Sequence, residues 1–293
     1  MAEASSPGVL PAVGVRGVRH LSEITAVAEG LDHPECVTVG PDGILWAGGE
    51  AGQIYRIDPE ARQWTQVGGT GGRCLGLTID GREQLWICDV GRQALLCWDM
   101  ARRAVVREIQ EVEGIPLVNP NFAVFGDDGT LYVSDSGHFG QNDGFLFAVA
   151  PDGTSRVVDR RPCHFPNGLA LSADGRTLYI AESTEPAVST LQLDTFDYRW
   201  LCRLPGTVPD GLALTENGTV FVSCYRPDAI YRVDPDGTAS LYATDPAGTT
   251  LAAPTNIVFA GSHRDMLYIA SLGRWHIGCL SMPERGIALR YPR

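Results

Sequence analysis

The chain has 293 residues, 44% of them hydrophobic, enough to bury a full core in one globular unit. A formal net charge of -12 argues against a nucleic-acid partner, because phosphate binding needs clustered Lys and Arg. No stretch approaches transmembrane length, which argues against a membrane role, and eight scattered cysteines without a CxxC pair read as reduced, mostly buried thiols.

Residues 1–20 read as an N-terminal extension, partly disordered, ahead of a single domain over 21–293. The start lacks the charged residues and apolar run of a secretion signal, so the expected location is the cytoplasm. SEITAVAEG, from Ser22, follows as an outer strand placed to pair with the last repeat and close a ring. A short apolar strand pattern then recurs as ILWAGGE at 44, QLWICDV at 84, TLYVSDS at 130, TLYIAES at 177, TVFVSCY at 219 and MLYIASL at 266. Successive starts lie 40, 46, 47, 42 and 47 residues apart, the length of a four-stranded blade. Six such units predict an all-β fold, a six-bladed β-propeller with four-stranded blades around a central channel.

Each unit opens with a first strand and a tight turn such as Asp42-Gly43, Asp128-Gly129 or Asp174-Gly175. A second strand ending in small residues follows, then a third such as QIYRIDP or AIYRVDP. Trp46 and Trp86 hold equivalent second-strand positions and read as blade packing.

Counting back seven residues from the Asp or Asn of each turn reaches Glu35, Arg73, Asn121, Asn167 and Asp210. The first strand of a blade lies innermost, so this shared phase points all five toward the mouth of the channel. Glu35, Asn121, Asn167 and Asp210 each follow a proline, and their oxygens suit a hard divalent cation such as calcium, magnesium or manganese. Read singly, Asn167-Gly168 and Asp210-Gly211 are ordinary turn dipeptides; the common phase favours the ligand reading. Glu35 sits in an apolar context and needs a positive partner, either a metal or Arg73. Arg73 itself is a candidate substrate contact, with a structural role as the alternative. His138 is a candidate substrate contact on a face-capping loop, as is His276, and a plain surface histidine is the alternative for each. His33 and His164 are placed to support the cluster by hydrogen bonds. Nucleophile-elbow, phosphate-loop and zinc-helix motifs are absent from the sequence.

Four segments carry a family resemblance: His33-Pro34-Glu35, Phe165-Pro166-Asn167-Gly168-Leu169-Ala170, Val208-Pro209-Asp210-Gly211-Leu212-Ala213 and Pro254-Thr255-Asn256-Ile257-Val258-Phe259. Over roughly residues 24–280 the chain resembles the senescence marker protein, gluconolactonase and luciferin-regenerating enzyme-like family. The resemblance implies one divalent metal held by Glu35, Asn167 and Asp210, calcium first among the choices and manganese, magnesium or zinc behind it. It further implies a small-molecule lactone or ester substrate, opened with Asp210 as general base and Asn121 orienting the substrate. Two departures stand out, because gluconolactonases carry Arg where Asn119 stands and Asp where Phe122 stands. Both imply a less polar pocket and keep a sugar lactone and a more apolar lactone open. The rival readings are a hydrolase of another small ester or phosphotriester, and a non-catalytic metal-stabilised binding propeller. The sequence is silent on oligomeric state.

Overall fold

Strand-forming runs separated by Gly-containing turns fold here into six sheets around one axis, in a computed structural model that describes residues 14, 15 and 17–293. The innermost strands are Val37–Val39, Cys74–Ile79, Pro120–Phe125, Pro166–Leu171, Val208–Leu214 and Pro254–Ala260, from blade one to blade six. Blades one to five continue outward through three more antiparallel strands in chain order, blade six through two, and a two-stranded hairpin, Glu111–Val112 with Ile115–Pro116, joins blades two and three. The architecture is the expected all-β six-bladed propeller.

The ring closes through its own beginning. Thr25–Glu29 pairs antiparallel with His276–Ser281 and forms the outer strand of blade six, as the sequence position of SEITAVAEG suggested. Closure of this kind removes an open edge that another chain could pair with. Most of the expected extension 1–20, namely residues 1–13 and 16, lies outside the described residues. Gly14–Val15 pair in parallel with Ala239–Thr244 at the outer edge of blade five, and the Arg19 amide donates to the Tyr242 carbonyl at 2.7 Å.

Asp-Gly turns join inner and second strands because glycine takes a left-handed conformation without a Cβ clash, with φ of 81° at Gly43, 84° at Gly129 and 72° at Gly175. The core lies between blades, where the faces of successive sheets meet. Trp46 and Trp86 are buried in these layers, and Phe221 stacks edge-on against Tyr242 at 4.8 Å and Phe259 at 5.9 Å. Among the described residues no helix is long and apolar enough to cross a membrane.

Beyond the last strand, the tail crosses the far end of the channel. Its backbone bonds to Arg264, Glu216 and Leu214, Tyr291 donates to the Val39 carbonyl at 2.9 Å, and the Pro292 carbonyl accepts from Gly81 at 2.8 Å. Arg290 donates to Asp127 at 2.7 Å and to the Ser172 carbonyl at 2.7 Å. These contacts touch every blade, while Ile287, Ala288 and Leu289 cap an apolar channel of about 80 Å³. Charge-assisted bonds of this kind contribute more than neutral ones, so Arg290→Ala should lower stability by about 2 kcal/mol, read as an earlier urea midpoint at unchanged slope.

Candidate functional site at the channel mouth

The inner strands lose regular pairing where the candidate residues sit. The ladder skips between Pro120 and Phe122, between Pro166 and Leu169, and between Pro209 and Leu212. Asn121, Asn167 and Asp210 occupy those gaps, where an irregular strand re-aims a side chain. Gly168 and Gly211 are needed here for space rather than for a turn: a Cβ on Gly168 would stand 2.4 Å from the Asp210 carbonyl oxygen, and one on Gly211 would stand 2.7 Å from the Asn256 Cα.

Serines at the ends of second strands tie these gaps together from blade to blade. Ser134 Oγ donates to the Asn167 carbonyl at 2.7 Å, Ser183 Oγ to the Pro209 carbonyl at 2.6 Å, and Ser223 Oγ to the Thr255 carbonyl at 3.2 Å. Thr255 Oγ1 then donates to the Glu35 carbonyl at 2.7 Å, and the Asn256 side-chain oxygen accepts from the Val37 amide at 3.2 Å. Ser183 also accepts from Asn167 Nδ2 at 3.3 Å, so it fixes the rotamer of that amide. The serines escaped the sequence reading, although their trace is visible as a small polar residue recurring in TLYVSDS, TLYIAES and TVFVSCY.

A cavity of about 330 Å³ opens at this face, lined by Glu35, Arg73, Asn119, Asn121, Asn167, Ser183 and Asp210 together with an apolar and aromatic wall. Glu35 is partly open to solvent as a residue, yet its Oε2 is shut away with no hydrogen-bond partner among the described residues, and so is Asn119 Oδ1. Burial pushes the Glu35 carboxyl up to about 7, opposed by the Arg73 guanidinium and reinforced by the Glu50 carboxylate. Asp210 is pushed well above the carboxylate range by burial and then by Glu35, with the Asn167 amide opposing. The Glu35 carboxylate thus raises its neighbour Asp210, as one buried acid does to another.

Six of the eleven site candidates singled out in the sequence therefore share one cavity: Glu35, Arg73, Asn119, Asn121, Asn167 and Asp210. Phe122 does not. It faces the apolar channel beneath, against Leu77 and Leu169, because consecutive strand residues point to opposite sides. His138 is exposed on its loop and bonds Asp143 at 2.6 Å; its neighbour Phe139 lines the cavity instead. The ion pair of Arg73 among the described residues is with Glu50, at 3.7 Å, rather than with Glu35. His33 bonds Asp32 at 2.8 Å and lies 3.1 Å from Glu50, three ligand-type groups gathered at the rim, while His164 bonds Asn142 at 3.1 Å. Neither histidine bonds a member of the cluster, so the supporting role passes to the serines. His276 is buried at the start of a third strand rather than on a capping loop.

The model of the SMP-30/Gluconolactonase/LRE-like region matches residues 33–273. The chain belongs to that family. Its members resemble this chain at some distance: a gluconolactonase from Zymomonas mobilis is 25% identical over 186 residues, covering 55% of this chain and 51% of the relative. The chain spans about half the length of the curated relatives it matches. Among solved structures, a gluconolactonase from Xanthomonas campestris superposes with a TM-score of 0.77 at 18% identity, covering 96% of this chain and 99% of the other. A calcium-binding regucalcin from Agrobacterium tumefaciens gives 0.75 at 18% identity, covering 97% and 100%. These superpositions speak for the fold.

Proposed function

We propose that the chain is a divalent-cation-dependent lactonase whose cation is held by Glu35, Asn167 and Asp210. The observation that carries this reading is the unpartnered Glu35 Oε2 beside a second buried carboxyl, since buried acids are strongly unfavourable without a compensating charge. The donor set fits a hard cation: two carboxylates and a carboxamide, all oxygen, with calcium the first choice and magnesium, manganese or zinc behind it. When bound, the cation supplies positive charge that polarises a carbonyl.

The chain's own residues then divide the remaining work. Asn121 holds the lactone by its side-chain amide, and Asn119, whose Oδ1 lacks a partner, accepts from a donor on the substrate or from water. Asp210 takes a proton from the attacking water as the new carbon–oxygen bond forms, and returns it to the ring oxygen as the acyl–oxygen bond breaks. Arg73 stands at the rim, where a guanidinium meets a substrate anion.

Turnover of a small lactone panel by protein stripped of metal and then resupplied with each cation tests the reading. Cation-dependent hydrolysis supports it; no hydrolysis with any cation overturns it. A subtler check uses Ser183→Ala, which frees the Asn167 amide and the Pro209 carbonyl. Cation affinity should fall about tenfold, measured by calorimetric titration, because groups that orient ligands tune affinity on that scale.

A further inference from the structure

Asn121, Asn167, Ser183 and Asp210 are buried in the mouth, and apart from Glu35, Arg73, Asn119 and Tyr225 the rest of its lining is apolar. Leu75 and Val90 come from blade two, Phe139 from blade three, Phe165 from the entry to blade four, Val208 from blade five and Leu272 from blade six. Phe139 is 67% exposed, an unusual position for a phenylalanine, and it meets Phe165 edge to face at 5.1 Å. Phe165 holds a φ of 56°, in the left-handed region, where a bulky residue is strained by about 1–3 kcal/mol and persists where the surrounding structure over-determines it. A sugar lactone carries hydroxyls around its ring, and away from Arg73 and Tyr225 this wall has no side chain to bond them, so most would lose water without replacement. An alkyl or aryl group would instead cover the Phe139–Phe165 pair.

We infer that the substrate is a lactone bearing an apolar alkyl or aryl substituent, its ring at the buried polar groups and its substituent against Phe139 and Phe165. The inference rests on the lactonase reading above for its chemistry and on the wall for its specificity. It reaches the less polar pocket anticipated from Phe122, through different residues.

Turnover by the cation-loaded full chain tests it on δ-valerolactone, on its 5-alkyl homologues up to hexyl, and on glucono-δ-lactone. From methyl to pentyl, kcat/KM should climb by about tenfold or more, given the transfer of each methylene from water to an apolar wall. Glucono-δ-lactone should fall below every alkyl homologue. Phe139→Ala should flatten the climb, so the pentyl-to-methyl ratio shrinks. A flat series, or a preference for glucono-δ-lactone, overturns the inference. A parallel titration with 6-alkyl-2-piperidones, lactams that keep the ring and carbonyl but resist hydrolysis, separates the two readings. If no lactone turns over, the lactonase reading fails. The lactam affinities then decide the wall on their own: tightening with chain length supports it, and no dependence overturns it.

Discussion

Asp210→Asn should lower kcat/KM for any hydrolysed lactone by about a thousandfold, while the metal-free protein stays at least as stable as the unaltered one. The substitution keeps the shape of the side chain and removes its charge and its capacity to take a proton, a role that contributes roughly two to four orders of magnitude in rate. Stability moves the other way, because burial and the neighbouring Glu35 both disfavour a charged Asp210, and an amide removes that charge. Activity at saturating cation and thermal unfolding without cation separate the two effects. Retained turnover would move the base to another residue; a collapse of the fold would make Asp210 structural first. Glu35→Gln should weaken cation binding as well, since it removes one charged ligand.

The metal-free protein should become less stable as pH rises from about 4.5 to about 7. The Glu35 carboxyl titrates near 7 in the folded chain, against an ordinary value of 4.5. Between these values the folded chain binds more protons than the unfolded one, so stability is complete below the lower value and lost on the way to the upper. The loss from this one group is on the order of 3 kcal/mol, and Asp210, raised in the same direction, adds to it. A divalent cation added at pH 8 should restore the loss, and its binding near pH 6 should release protons. Urea melts at pH 5 and pH 8, with and without cation, read this directly. Equal stability at both pH values without cation would mean that the two carboxyls are not shut from water.

The fold was legible because a propeller writes its period into the chain. Strand, Asp-Gly or Asn-Gly turn and small-ended second strand recur through the first five blades, whose inner strands enter the mouth at the same phase, which is why Glu35, Asn121, Asn167 and Asp210 could be aligned by counting from turns. Phe122 was misplaced through its neighbour: adjacency to Asn121 in sequence means the opposite side of a strand in space. His138 and Phe139 sit in a loop with its own conformation between Gly137 and Gly140, both at positive φ, which a repeat does not determine. The tail across the far end of the channel has no counterpart in other blades, so periodicity carries no trace of it. Phe165 was visible within its motif, but its part in the wall depends on the ring of Phe139, brought to it by tertiary structure.

The closing strand also sets a timetable for folding during synthesis. Thr25–Glu29 leaves the ribosome long before its partner His276–Ser281. Contacts so far apart in sequence form slowly, because the intervening chain must be ordered before they gain anything. Until then the nascent chain carries an unpaired strand at each end of an incomplete stack of blades, a state open to association with other chains. Any product released before His276 is left permanently in that state, so truncated forms of this chain should be found in aggregates or held by chaperones rather than as smaller propellers.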